Sequence, residues 1–233
     1  RDRGNNMNEF NISINKEEVL RYLGYKDQII DEKIMNTIDE CIKEVKEIIT
    51  PRVIYEYKDI KIIDEGVEIL GTNLQLTGKD IKNHLFNSNK CVLMAVTIGN
   101  DIERKTRLYE KTNLTKALIL DSCATTAVEE VCDIVEEEVR KKAENDNMDI
   151  TFRYSPGYGD LPLDVQNSFL RTLDAQKRIG LIASENNLLF PRKSVTAIIG
   201  IIEKGVSKKK KSCKECSNYE NCSFRREGES CGA

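Results

Sequence analysis

Histidine is almost missing from this chain, which has 233 residues and a single histidine, His84. No Ser-His-Asp or Cys-His set can be assembled around it, which excludes the common histidine-dependent hydrolases. Glycine-rich loops of the kind that cradle phosphates are missing as well. His84 lies in a segment rich in lysine and asparagine, and this setting predicts a surface residue rather than a metal ligand.

Long apolar runs and a secretory leader are also lacking. The longest apolar stretch, residues 195–202, is far shorter than the roughly 20 residues that cross a bilayer. The N-terminal segment shows no succession of basic, apolar and small residues, so we expect a cytoplasmic protein without a membrane span. A net charge of −3 and an aromatic content of 6% indicate no general preference for nucleic acid.

The eight cysteines form two populations. The first is scattered among helical and strand patterns, where buried free thiols are expected. It comprises Cys41, Cys91, Cys123 and Cys132. The second crowds into the end of the chain, and in a cytoplasmic protein such clustering predicts metal or cluster ligation rather than disulfides. It comprises Cys213, Cys216, Cys222 and Cys231. The single short Cys-x2-Cys pair favours an iron–sulfur cluster over zinc, and both remain open.

The hydrophobic pattern mixes helices and strands without a strict strand–helix–strand repeat. Helical spacing predicts helices near residues 15–24, 31–50, 101–108, 113–143 and 164–178, and a short helix that carries His84 is expected after residues 77–80. Alternating or buried apolar runs predict strands near 52–64, 67–70, 74–76 and 91–98, and another that opens at Ser194. We therefore expect the α+β class: a mixed or antiparallel twisted sheet with long helices packed on it.

Three regions are predicted from the change in composition along the chain. Residues 1–13 form an N-terminal extension, residues 14–203 a folded domain, and residues 204–233 a lysine-rich linker with the cysteine-rich tail. In the longest helix, an inner face is expected at Leu114, Leu118, Thr125, Val128, Cys132, Val135 and Val139.

The segment 153–162, with the sequence RYSPGYGDLP, is the strongest candidate for a ligand-binding loop. Pro156-Gly157 predicts a turn that brings backbone groups close to a ligand. Arg153 offers a planar fork of donors that matches a carboxylate or a phosphate. Tyr154 and Tyr158 add flat apolar faces with a hydroxyl. An ordinary turn with surface tyrosines is the alternative interpretation.

The helix 113–143 carries a second candidate, a polar stripe on a side that should be buried. It comprises Asp121, Ser122, Thr125, Thr126 and Glu129. Most of these positions are spaced three or four apart and share one face. Small hydroxyl residues beside a carboxylate would suit a ligand that lies across the helix, with Glu129 as an acceptor. The alternative is an exposed polar helix face.

Together these features resemble a known family. The Arg-x3-Gly-Tyr loop at 153–158, the helix that follows it, and the Pro191-x2-Ser194-Val195 run that opens a strand occur in this order. The order resembles the S-adenosylmethionine-binding activation (reactivation) domain of cobalamin-dependent methionine synthase, and most closely a short, free-standing form of it. The resemblance covers residues 14–203.

The resemblance implies roles for particular residues. Arg153 would hold the carboxylate of the methionine moiety, and Glu129 would be the acidic residue of the site, with Glu130 as the alternative. The Tyr154 main chain, Gly157 and Tyr158 would line the pocket. Gly159 stands where the full-length synthases are expected to have proline, which predicts a more mobile loop.

The implied function is activation of a separate, cobalamin-binding methionine synthase protein. S-adenosylmethionine would donate a methyl group to the partner's cobalamin after a one-electron reduction. The electron would come from a flavodoxin-like or ferredoxin-like donor, or through a cluster in the tail. Two other classes stay open: an S-adenosylmethionine-binding sensor without cobalamin chemistry, and a nucleic-acid-associated module that uses Lys208–Lys211 and a zinc tail.

Overall fold

The computed structural model describes residues 11–26 and 28–206. Within them the chain forms seven α-helices: α1 (Lys16–Tyr22), α2 (Glu32–Ile48), α3 (Lys79–Leu85), α4 (Asp101–Thr112), α5 (Leu114–Asn145), α6 (Gln166–Thr172) and α7 (Ala175–Ile179). It also forms eight strands: β1 (Arg52–Ile63), β2 (Gly66–Ile69), β3 (Gln75–Thr77), β4 (Ser88–Thr97), β5 (Met148–Ile150), β6 (Ile182–Ala183), β7 (Leu189–Phe190) and β8 (Ser194–Glu203). The tail cysteines, Cys213, Cys216, Cys222 and Cys231, lie outside the described residues.

The main sheet has six strands in the order β3-β2-β1-β4-β8-β5. Each neighbouring pair in it is antiparallel. A separate ribbon pairs β6 with β7. The prediction of an α+β fold, with an antiparallel sheet and long helices packed on it, is therefore confirmed.

The centre of the sheet is buried on both faces. Along β4, Met94 packs among α1, α2 and α5, whereas its neighbours Leu93 and Ala95 pack among α3, α6 and α7. On β8, Ile199 and Ile198 divide between the same two layers. Central strands covered on both faces have continuous apolar runs, which is why the sequence signal for them is strong. The edge of β8 nearest β5 lies between these two layers, and the candidate site is there.

Helix α5 follows the predicted inner face over only part of its length. Val128, Cys132, Val135 and Val139 are buried as expected. The prediction is wrong for Leu114 and Leu118, which are 63% and 57% exposed. Their places inside are taken by Ala117, Leu120 and Ala124, because α2 and α4 pack against this end of α5. Within the described part of the chain, neither α5 nor any other helix is long and apolar enough to cross a membrane.

The single helix expected over 164–178 is divided. A turn of 3-10 helix at Leu163–Val165 leads into α6, and α7 begins after Asp174. Asp174 has a φ of +50°, in the left-handed region that aspartate tolerates better than most residues. The chain changes direction at this one residue while the apolar residues keep their helical spacing, and Phe169 and Leu173 are both buried.

The four scattered cysteines are buried free thiols, as expected. Burial raises the pKa of Cys41 to about 11 and those of Cys91 and Cys123 to about 12. Burial also raises the pKa of Cys132. These thiols are therefore protonated and unreactive near neutral pH.

Candidate functional site

The segment after β5 carries one extra residue relative to β8, and this sets the direction of Arg153. Since β5 pairs with β8 in the register Ile150↔Ile201, a regular ladder would bring Arg153 opposite Ile198. Instead Tyr154 exchanges backbone hydrogen bonds of 2.9 and 2.8 Å with Ile198. The extra residue makes a β-bulge. Because side chains alternate between the faces of a sheet, it turns Arg153 toward α5 and Tyr154 into the opposite layer.

Arg153 is buried, with 8% of its surface exposed, and its guanidinium faces three carboxylates of α5. Its Nη2 lies 3.3 Å from Glu129 Oε2. Its Nη1 lies 2.7 Å from Asp133 Oδ1 and 3.4 Å from Glu136 Oε2. Burial acts to lower the pKa of Arg153, but the attraction of the neighbouring anions more than offsets it and leaves the pKa raised. Arg153 is therefore a permanent cation on an acidic helix face.

The loop 154–162 folds back on itself beside the bulge. Tyr154 Oη donates to the carbonyl of Tyr158 at 3.0 Å, and the two rings meet edge to face with centroids 5.9 Å apart. Gly157 donates its backbone N–H to Leu161 at 2.9 Å and has a φ of +91°, which L side chains rarely adopt. Tyr154 is buried and Tyr158 is half exposed. The turn predicted from Pro156-Gly157 is therefore closed by specific hydrogen bonds.

The structure brings the predicted site residues together in two groups. Glu129 and Arg153 contact each other on the α5 side of the bulge. Tyr154, Gly157 and Tyr158 gather on its other side. In residues 11–26 and 28–206, no three histidine, cysteine, aspartate or glutamate side chains are grouped to hold a metal ion.

Close packing accounts for Gly159, where the sequence predicted a more mobile loop. Gly159 has a φ of +51°, and a Cβ there would collide with Asp80 Oδ2 and the Tyr154 hydroxyl. The next residue, Asp160, accepts hydrogen bonds from the backbone N–H groups of Lys79 at 2.7 Å and Asp80 at 3.0 Å. The loop thus supplies the cap for the N-terminus of α3, whose own preceding residue, a glycine, has no side chain to do so.

The polar stripe of α5 divides between the helix interior and the site. Ser122 and Thr126 are buried, and Thr126 Oγ1 donates to the Ser122 carbonyl one turn back. Asp121 and Thr125 instead face Lys193, whose Nζ lies 2.9 Å from Asp121 Oδ1 and donates to Thr125 Oγ1 at 2.7 Å. Sequence reasoning missed Lys193, because nothing in the run that opens β8 indicates that this lysine contacts α5.

His84 is buried, so the prediction of a surface residue is wrong. Its Nε2 lies 2.9 Å from Thr151 Oγ1, and its ring contacts those of Phe152 at 4.4 Å and Tyr154 at 5.0 Å between centroids. Local composition misled because the polar neighbours of His84 lie on the outer side of α3. The contact partners are 67 to 70 residues away in sequence.

Comparison with known proteins supports the fold. No protein-family model matches the chain, and no curated protein matches it. Among solved structures, the crystal structure of the MetH reactivation domain bound to AdoHcy is similar, with a TM-score of 0.59 and 16% sequence identity. The similarity covers 77% of this chain and 67% of that one. At this level of identity it is the fold that the two proteins share.

Proposed function

We propose that this protein binds S-adenosylmethionine and activates a cobalamin-binding methionine synthase partner. The observation that carries the proposal is the contact between Arg153 and Glu129, held beside the 154–162 loop at the edge of β8. The neighbouring fold, the MetH reactivation domain, was crystallised with AdoHcy, the demethylated form of the proposed ligand.

An Arg–Glu pair is suited to the amino-acid end of S-adenosylmethionine. The ligand's carboxylate would replace Glu129 as a partner of the Arg153 guanidinium. Glu129 would pair with the ligand's ammonium group instead. Each protein charge would exchange one partner for another, so that no charge is left uncompensated. Glu129 is 40% exposed on its side chain, whereas Arg153 is buried. The exchange can therefore occur by movement of the glutamate.

The charge around this pair favours a cationic ligand. Along the outer face of α5, four carboxylates meet three basic side chains. The carboxylates are those of Asp121, Glu129, Asp133 and Glu136, and the basic side chains are Arg140, Arg153 and Lys193. The residual negative charge would stabilise a sulfonium through space. Tyr158, half exposed on the other side of the bulge, would add an aromatic face to a ligand that extends across the bulge.

The chemistry asked of this chain is positioning. Cobalamin on the partner would supply the reduced centre that accepts the methyl group, after one electron from a flavodoxin-like or ferredoxin-like donor. When the methyl group leaves, the electron pair of its bond to sulfur would stay on sulfur as a neutral thioether, and the acceptor on the partner would supply the electron pair of the new bond. No proton moves, so a site without a histidine acid or base is adequate. Arg153 and Glu129 would fix the amino-acid end so that the methyl group points in line with its acceptor.

The proposal is tested by calorimetry with S-adenosylmethionine and with its decarboxylated analogue. We expect Arg153→Ala to weaken binding of S-adenosylmethionine about ten- to hundredfold, the range for a hydrogen bond to a charged group. Arg153→Lys should restore part of the affinity, since it lacks the planar fork. Glu129→Gln should cost less than Arg153→Ala.

The decarboxylated ligand is the internal control. Since it lacks the group that Arg153 would hold, wild type and Arg153→Ala should bind it equally well. Arg140→Ala removes another arginine beside Glu136, at 2.9 Å, and should leave both affinities unchanged. Equal binding of S-adenosylmethionine by wild type and Arg153→Ala would refute the assignment. Binding without methyl transfer to a cobalamin partner would favour a sensor.

We further propose that the tail holds a metal centre through Cys213, Cys216, Cys222 and Cys231. These positions supply the four thiolates that iron–sulfur clusters or structural zinc require. Iron with acid-labile sulfide in protein purified without oxygen would support a cluster that relays electrons. Zinc without colour would support a structural knot, and freely alkylated thiols without metal would remove the tail from the mechanism.

A further inference from the structure

We infer that contacts with α3 set the direction of Arg153 and the shape of the 154–160 loop, and we call this set of contacts the brace. Its positioning residues are His84, on α3, and Asp160, in the loop. The structural part of the inference stands on contacts of the described residues. Its consequence for ligand binding rests on the proposed function.

His84 holds the bulge from the C-terminal end of α3. Thr151 and Phe152 are consecutive, yet both contact the His84 ring, which a regular strand would not allow because its neighbouring side chains point to opposite faces. Tyr154, which follows Arg153, contacts the same ring. His84 therefore contacts the residues on both sides of Arg153. It lies in the layer of α3 and α6, on the face of the sheet opposite to the one that Arg153 faces.

In the bulge, the side-chain hydroxyl of Thr151 accepts a backbone N–H of β8, a role that backbone carbonyls have in a regular ladder. Thr151 Oγ1 accepts the backbone N–H of Gly200 at 2.8 Å and lies 2.9 Å from His84 Nε2. One hydroxyl thus joins β8, the bulge and α3. Glycine suits position 200 because a Cβ there would collide with Ser88 Oγ and crowd Leu85. Ser88 and Leu85 belong to the chain that leads from α3 into β4.

Asp160 holds the opposite end of α3. Its carboxylate accepts two backbone N–H groups in the first turn of the helix, those of Lys79 and Asp80. The segment 151–160 therefore contacts both ends of α3. In the sequence, Arg153 and Tyr158 lie between the residues that make these contacts. Without the brace, a one-residue slip would restore the regular ladder and turn Arg153 away from Glu129.

A first experiment tests the brace without any ligand. Hydrogen–deuterium exchange with mass spectrometry would follow the backbone amides of residues 148–160 in wild type, His84→Ala and Asp160→Ala. We expect faster exchange there in both variants. Asp31→Ala is the matched control, because Asp31 caps α2 in the same way, by accepting from Lys33 N–H at 2.7 Å. It should leave residues 148–160 unchanged, and protection equal to wild type in His84→Ala and Asp160→Ala would overturn the inference.

A second experiment tests whether the brace acts through Arg153. We expect His84→Ala and Thr151→Val to weaken S-adenosylmethionine binding about tenfold, since small misplacements of a binding group are costly. Thr151→Ser keeps the hydroxyl and should retain wild-type affinity. Asp160→Asn keeps only one of the two acceptor oxygens and should lose part of it. In an Arg153→Ala background, His84→Ala should have no further effect, because the residue it positions is gone.

The outcomes separate the two proposals. If the effects of His84→Ala and Arg153→Ala multiply fully in the double variant, the brace does not act through Arg153 and the inference on binding is wrong. If wild type binds no S-adenosylmethionine, the proposed function fails, and the exchange experiment alone decides whether α3 braces the loop. Should His84→Ala fail to fold, Asp160→Ala and Thr151→Val carry the same test.

Discussion

Arg153 shows how much one inserted residue can decide. Its side chain would lie in the layer of α3 and α6 if the ladder between β5 and β8 continued without interruption. The bulge directs it to Glu129, Asp133 and Glu136 instead. A cation buried without these carboxylates would be strongly unfavourable, so the bulge and the acidic helix face depend on each other.

Gly159 gives a prediction at the scale of one residue. We expect Gly159→Ala to destabilise the protein more than Gly71→Ala. Both glycines have positive φ, +51° and +73°, so both substitutions incur a backbone strain of about 1–2 kcal/mol. A Cβ at Gly71 meets nothing within 4 Å, whereas one at Gly159 meets Asp80 and Tyr154. The collision should add about 1–3 kcal/mol.

Urea denaturation of the two glycine variants measures the difference, with Gly71→Ala as the control for backbone strain. Equal losses of stability would show that Gly159 is not confined by its neighbours and that the loop adapts to a larger residue.

At the scale of elements, α5 contacts α1, α2 and α4 and also carries the acidic residues of the site. Its N-terminal part packs against α2 and α4, and its C-terminal part contacts β5. The neighbours change along the helix, so the buried face is broader in the first half of α5, where Ile119 and Ser122 are buried as well as Leu120, than near Val135 and Val139. The same helix presents its acidic face to Arg153 at the edge of the sheet.

Two leucines of α5 provide a matched pair. Leu120 is fully buried and Leu118 is 57% exposed. We expect Leu120→Ala to cost about 2–5 kcal/mol, because it leaves a cavity in the core. Leu118→Ala should change stability by no more than about 0.5 kcal/mol. Chemical denaturation compares them directly, and a similar loss for both would contradict an α5 that turns Leu120 inward and Leu118 outward.

A glutamate between helices predicts part of the acid sensitivity. Burial acts to raise the pKa of Glu44, but hydrogen bonds with Lys105 and Tyr109 outweigh it and hold the pKa below the ordinary 4.5. A carboxyl with a lowered folded-state pKa stabilises the fold above the pKa of the unfolded chain, and this stabilisation is lost as the pH falls through the folded-state pKa.

We therefore expect Glu44→Gln to be less stable than wild type at pH 7, and the gap to narrow as the pH falls below 4.5. Urea denaturation at several pH values measures the gap. Glu47→Gln, an exposed glutamate of the same helix, is the control. A gap that is the same at neutral and acid pH would contradict the explanation.

For the whole molecule, the two layers around the sheet are completed by elements that end at Glu203. We expect truncation after Gly205 to leave the melting temperature and S-adenosylmethionine binding unchanged, because residues 12–203 supply the core. Bound metal should be lost with the tail. Thermal melts, calorimetry and elemental analysis of both forms test this, and a truncated protein that aggregates or no longer binds would show that the tail is part of the fold or the site.

The sequence by itself determined the α+β class, most helix and strand positions, and the burial of Cys41 and Val135. These follow from local periodicity and from capping residues, which act over a few positions. It also pointed to Arg153 and Glu129, through a motif and a resemblance.

Only the tertiary structure decided that Arg153 faces α5, that His84 is buried, that Asp160 caps α3 and that Lys193 meets Thr125. Each of these rests on contacts between residues far apart in the chain, or on one extra residue in a ladder. A register shift of one position reverses which side of a sheet a side chain faces, and it leaves the local sequence pattern unchanged.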